Sequence, residues 1–112
     1  MAFEPWDVVV VPFPFTDKKT NKHRPALVLS SARHLNIGHS VLAMITSRGN
    51  APWPLDVSIT DEVAAGLNAA SVVRMKLFTL DDRLIMRRVG TLSAKDAKSV
   101  TTTLKKLFSG TL

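Results

Sequence analysis

Most hydrophobic positions fall into short runs of two-residue period or unbroken β-branched character, and only the C-terminal end changes to a helical spacing. Residues 6–11 form a β-branched run that predicts a buried strand, continued in extended form by Pro12, Phe13, Pro14 and Phe15. Proline has no N–H for a ladder, so this end must lie at an edge or leave the sheet. Residues 16–23 are polar and charge-rich, a loop, and residues 25–30 predict a second strand beyond it. Residues 30–36 predict a helical turn closed by Gly38, followed by a third strand over 41–45 and a loop over 46–50. Leu55, Val57 and Ile59 alternate with Asp56 and Ser58, as in a half-buried strand. Thr60 fits the N-cap of a short helix over 61–65 that Gly66 stops.

In residues 71–77 the period of two puts Arg74 and Lys76 on one face and Val73, Met75 and Leu77 on the other, so this strand presents two cations side by side. Residues 84–89 are a further strand ending at Gly90. Ser93 and Asp96 then form a capping box for a C-terminal helix with Ala97, Val100, Leu104, Leu107 and Phe108 on one stripe. Thr101, Thr102 and Thr103 lower its intrinsic propensity, so its stability must come from packing that stripe on the sheet. Five or six short strands closed by one helix predict a mainly β chain: a small, strongly bent β-barrel with a C-terminal helix, as a single domain over 1–112.

With 112 residues, 46% of them hydrophobic and 21% charged, the chain can support a core without staples. It has no cysteine, which excludes a disulfide framework, a thiol nucleophile and thiolate zinc sites and makes the cytoplasm its expected compartment. The N-terminal run begins with Glu4, lacks a basic segment and is broken by Asp7, Pro12 and Pro14, so it predicts neither a signal peptide nor a membrane span. Fifteen Lys and Arg against nine Asp and Glu give a formal charge of +6, scattered rather than gathered in a tail. Such a surface favours polyanions, nucleic acid first and an acidic protein second, although the same charge also serves solubility.

His23, His34 and His39 are 11 and 5 residues apart and make no pair at metal-ligand spacing. There is no nucleophile elbow, phosphate loop or dinucleotide fingerprint, so any catalysis is expected to need no metal and no cofactor. The positive signal is three polar segments at strand ends: Lys22, His23 and Arg24 before Pro25; Thr46, Ser47 and Arg48; and Arg74 with Lys76. If the barrel gathers those ends, it makes a cationic groove with hydroxyl donors, suited to a phosphodiester. Pro25 restricts the backbone at Arg24, which aims its guanidinium, whereas hydroxyls such as Thr46 and Ser47 also commonly just cap or turn a chain. Trp53, between Pro52 and Pro54, is placed either to stack on a base or to pack on the barrel. Lys18, Lys19 and Lys22 in the first loop are candidates for phosphate contacts that carry no sequence preference.

The ordered set Asp7-Val-Val-Val-Val, Pro12-Phe-Pro-Phe-Thr-Asp17, Arg24-Pro-Ala-Leu-Val-Leu-Ser30, Ile45-Thr-Ser47, Gly66-Leu67, Ser71-Val-Val-Arg74 and Gly90-Thr-Leu-Ser93 resembles the MazF/PemK family of toxin–antitoxin ribonucleases, over roughly residues 4–108. The resemblance implies an SH3-like barrel of the CcdB/PemK type, a homodimer, and an endoribonuclease that cuts single-stranded RNA and is held inactive by an acidic antitoxin lying in the same groove. It assigns the catalytic roles to Arg24 and Thr46 and RNA contacts to Ser47 and Arg74. Some relatives carry an acid two positions after that arginine, assigned to proton transfer, where this chain has Lys76. The general base is therefore open between His23, Asp17 and an unidentified group, with His23 having the best intrinsic pKa. The implied reaction is attack of the RNA 2′-OH on its adjacent phosphorus, leaving a 2′,3′-cyclic phosphate and a 5′-OH. Two other classes fit the same barrel: a non-enzymatic toxin similar to the CcdB inhibitors of a topoisomerase, and a nucleic-acid-binding barrel without turnover.

Overall fold

Period-two sequences make six antiparallel strands in the computed structural model, which describes residues 3–13 and 22–111. They are β1 (Asp7–Pro12), β2 (His23–Val28), β3 (His39–Ser47), β4 (Val57–Ser58), β5 (Ser71–Asp81) and β6 (Arg87–Thr91), in the sheet order β4-β5-β3-β2-β1-β6. A short helix α1 (Glu62–Ala65) precedes β5, a 3-10 turn (Asp82–Leu84) follows it, and α2 (Ala94–Leu107) closes the chain. The outcome is the expected bent, mainly β fold with a C-terminal helix, a curled half-barrel.

Both faces of the curled sheet are apolar, because alternate residues of each strand go to opposite sides and both sets are hydrophobic. On one face Val8, Leu27, Ala43, Ile45 and Val73 pack under α2 through Ala97 and Val100, with Ile59 and Ala65 beside them. On the other, Val9, Val11, Ala26, Val28, Leu42 and Leu80 are covered by Phe3 and Ile85. The second cluster stops partway along the sheet. Two residues further on along the same face come Phe13 after Val11, Arg24 before Ala26, and Thr46 after Met44. The uncovered end of this face is where polar chemistry gathers.

Several local expectations change. The segment read as a strand over Leu55–Ile59 shrinks to Val57–Ser58, because Leu55 has φ +67, which no extended strand tolerates. Asp61, not Thr60, caps α1, its carboxylate accepting from the Ala64 N–H at 3.0 Å. The segment from Ser30 makes one turn through Leu35 N–H to Ser31 carbonyl (2.9 Å). The strand expected over 84–89 begins instead at Arg87, since Asp81 caps a 3-10 turn that occupies Asp82–Leu84. Of the α2 stripe, Leu107 and Phe108 stay exposed, and Ala97, Val100 and Leu104 do the packing.

Thr60 has a different role: its N–H and hydroxyl, with the Asp61 N–H, donate to the Asp96 carboxylate at 3.0, 2.7 and 3.1 Å. This buried acid in the first turn of α2 fastens the helix to the segment before α1. Burial alone would raise its pKa, but these donors and Ser93 outweigh it and hold the carboxyl below the usual carboxylate value. A folded pKa below the unfolded one stabilises the protein above about pH 4 and is lost as the pH falls through the folded value. Asp96→Ala should cost about 2–4 kcal/mol at neutral pH by orphaning three donors. Urea midpoints of the two proteins should converge as the pH is lowered from 5 towards 2.

Candidate active site

The uncovered end of the second face is a cavity of about 170 Å³. Its floor is Met44 and Ile45 of β3; Arg24 rises from β2, Thr46 from the end of β3, and Arg74 and Lys76 from β5. Phe13, Asn50 and Trp53 complete the wall. A bulge lies at this point: Ala43 pairs with Leu77 while its neighbour Met44 pairs with Arg74, so Met75 and Lys76 are extra on β5. Extra residues sharpen strand twist and re-aim side chains, which brings both β5 cations over Met44.

The two arginines of this cavity differ in kind. Arg74 is held in an ion pair: its Nε and Nη2 donate to the Asp56 carboxylate at 3.2 and 3.0 Å, and Nη2 also to the Ala51 carbonyl at 2.9 Å. Both side chains of the pair are only 12% exposed. Arg74 pulls the Asp56 carboxyl below its ordinary value, against the opposing effect of burial, and Asp56 raises Arg74 in return. The centre of the Trp53 ring lies 4.9 Å from the Arg74 guanidinium carbon, and the Trp53 backbone N–H donates to the Asp56 carboxylate at 2.9 Å. Arg74 and Asp56 therefore work as a clamp on the loop that carries Trp53. The Arg24 guanidinium, by contrast, makes no ion pair or hydrogen bond among the described residues and lies 6.0 Å from the centre of the Phe13 ring. Lys76 likewise stands between rings, with Nζ 5.9 Å from Phe13 and 6.0 Å from Trp53.

Thr46 accepts a 2.6 Å hydrogen bond from the Asn50 side-chain amide. The cavity therefore combines a guanidinium unpaired among the described residues, an ammonium and an oriented hydroxyl, which together can hold one phosphate group. No carboxylate or imidazole among the described residues lines it. Asp56→Ala should free the Trp53 loop, seen as greater acrylamide quenching of Trp53 fluorescence in a Trp6→Phe background.

Of the residues marked out in the sequence, Arg24, Thr46, Trp53, Arg74 and Lys76 come together, and four others do not reach the cavity. His23 and Ser47 are exposed, and strand alternation turns each away from its neighbour Arg24 or Thr46. Lys22 is exposed ahead of β2, and Arg48 reaches back to the Ile59 carbonyl at 3.4 Å. Asp17, Lys18 and Lys19 lie outside the described residues. Asn50, Asp56 and Phe13 were not marked out. Asn50, four residues after Thr46, was legible only as a turn residue, and Asp56 only as the polar half of an alternating run. A larger hollow of about 500 Å³ lies beside His39, Ser40 and Asp81–Arg83, where Asp82 accepts from Ser40 and Asp81 pairs with Arg83. It contains none of the candidates. No three His, Asp or Glu among the described residues are grouped to hold a metal ion.

The chain is a small curled antiparallel half-barrel with a terminal helix and a cationic cavity on one face of its sheet. Residues 4–108 match the family of PemK-like, MazF-like toxins of type II toxin–antitoxin systems, and the chain belongs to that family. Solved structures agree on the fold. The chain is similar to MazF in a MazE–MazF crystal structure from Deinococcus radiodurans (22% identity, 97% of each chain covered, TM-score 0.74). It is also similar to an endoribonuclease from a mycobacterial species (16% identity, 100% of this chain and 96% of the other, TM-score 0.75). A third similar structure is a mycobacterial endoribonuclease in complex with its cognate antitoxin (17% identity, 94% and 91% covered, TM-score 0.71). No curated protein matches the sequence closely enough to count as a relative. Among the described residues, no helix is long and apolar enough to cross a membrane.

Proposed function

We propose that this protein is a toxin endoribonuclease that cuts single-stranded RNA at the Arg24–Thr46 cavity and thereby stops translation and growth. The observation that carries this reading is the Arg24 guanidinium, unpaired among the described residues, sharing one cavity with the Thr46 hydroxyl, while the neighbouring Arg74 is neutralised by Asp56.

The RNA supplies its own nucleophile: the 2′-oxygen loses its proton and bonds to the adjacent phosphorus, the P–O5′ bond breaks, and O5′ takes a proton. Products are a 2′,3′-cyclic phosphate and a 5′-OH. Arg24 binds the nonbridging oxygens and stabilises the charge that grows on them; Thr46 donates to the same phosphate, and Lys76 adds a second positive charge. Arg24, Thr46 and Lys76 act by orientation and charge stabilisation, with Lys76 standing where some relatives have an acid and no carboxylate or imidazole among the described residues of the wall. Trp53, 45% exposed and held by the Arg74–Asp56 clamp, offers its outer face for a base to stack on. The same cationic cavity suits an acidic antitoxin, and solved relatives have been crystallised with their antitoxins. A homodimer in the cytoplasm completes the reading.

Labelled single-stranded RNA incubated with the pure protein in EDTA tests it, with the ends of the products mapped. Cleavage to cyclic-phosphate ends, with DNA of the same sequence uncut, supports the nuclease. Retained binding without cleavage favours a binding barrel, and neither outcome favours a CcdB-like inhibitor.

A further inference from the structure

We propose that Asn50 is the positioning residue of this site, holding the Thr46 hydroxyl with its hydrogen turned towards the phosphate that Arg24 binds. The inference rests on the nuclease reading above and concerns a residue to which that reading gives no role.

A threonine hydroxyl has one hydrogen to donate and two lone pairs to accept with, and it rotates to suit its partners. In an open cavity it spends much of its time donating to water or to the nearest carbonyl, and in helices threonine hydroxyls do turn back on the chain: Thr101, Thr102 and Thr103 of this protein all donate to the carbonyl four residues earlier. Thr46 does not. Its oxygen takes the Asn50 Nδ2–H at 2.6 Å, and it has no other partner among the described residues. With one lone pair engaged by the amide, the rotor is restrained and the hydrogen is left free to face the cavity. The 48–50 turn is itself fixed, since the Asn50 N–H donates to the Ser47 carbonyl at 3.1 Å and the Arg48 N–H to the Ala70 carbonyl at 3.0 Å. Asn50 is thus tied to β3 at one end of its residue and to the Thr46 hydroxyl at the other. Because Asn50 is uncharged, it does this without offsetting the positive charge of Arg24 and Lys76, which an acid in its place would do.

Losing the restraint should lower the rate rather than the affinity, since phosphate attraction comes from the cations and orientation from the amide. Asn50→Ala should reduce kcat by about 10- to 100-fold with KM changed less than about threefold. In a Thr46→Val background the same substitution should cost less than about twofold more, because the hydroxyl it orients is already gone. In the RNA-free protein, Thr46→Val should shift the Asn50 side-chain amide proton that bonds the hydroxyl more than its geminal partner. Fully additive rate losses, a change confined to KM, or Asn50 amide protons indifferent to Thr46→Val would overturn the role of Asn50 while leaving the nuclease standing. A parent protein that leaves RNA intact would overturn the nuclease reading and this role with it.

Discussion

Arg24→Ala should cut RNA about 100- to 1,000-fold more slowly than the parent while melting at nearly the same temperature. That magnitude is the usual cost of removing one preorganised donor aimed at developing charge. The unchanged melting point follows from the surroundings of Arg24, an exposed side chain with no ion pair or hydrogen bond to lose among the described residues. Arg24→Lys should recover only part of the rate, because an ammonium keeps the charge but not the two-pronged geometry. Arg74→Ala makes the informative contrast: it strands the Asp56 carboxylate and releases the Ala51 carbonyl and the Trp53 ring, so it should lower stability and substrate affinity together. Single-turnover rates and melting curves on the three variants decide the matter. An Arg24→Ala protein that retains parental turnover would remove the basis of the proposed chemistry.

Gly90→Ala should have the reverse profile, a large loss of stability with little effect on the chemistry measured well below the melting point. A Cβ at Gly90 would sit 2.4 Å from the Ala65 carbonyl carbon and 2.5–2.6 Å from the Ala64 and Ala65 carbonyl oxygens. These are backbone atoms, which cannot swing aside as a side chain can. Gly66, at the end of α1, meets β6 in the same way: its φ of +73 suits glycine, and a Cβ there would reach 2.1 Å from the Val89 carbonyl oxygen. Two glycines thus let α1 and β6 touch backbone to backbone and bury Ala65 in the core cluster under α2. Forcing them apart should cost roughly 3 kcal/mol, at the upper end of overpacking effects, and lower the melting temperature by about 10 °C or more. The site is spared because Ala65 packs on the face of the sheet opposite to Arg24 and Thr46.

Those two faces explain what could be read in advance. The strand period placed Arg74 and Lys76 together on one side of β5 and Met75 and Leu77 on the other, and the structure keeps that division through a bulge. The alternation over 55–59 was equally plain, yet it yielded a two-residue strand, because the Asp56 carboxylate is taken by Arg74 and Leu55 turns left-handed to let it get there. Similarly, the capping signal at Ser93 and Asp96 was read as local, whereas the carboxylate of Asp96 is used 35 and 36 residues away, on Asp61 and Thr60. Local chemistry announced that these side chains are polar, and spatial neighbours determined what they bind.

From its sequence alone, this protein was settled as a run of short strands closed by one helix, with cations and hydroxyls between or beside them, because periods of 2 and 3.6 residues and turn residues act within a few positions. Tertiary structure alone decided which cation is available. Arg24 and Arg74 are the same chemical group on two β-strands, Arg74 inside its strand rather than at the expected end, but Asp56 reaches only one of them, across 18 residues of sequence, and the Asn50 amide reaches the hydroxyl of Thr46 through a turn whose shape depends on Ala70. A charge is free or spent according to what lies within about 3 Å of it, and that distance is set by the folding of the whole chain.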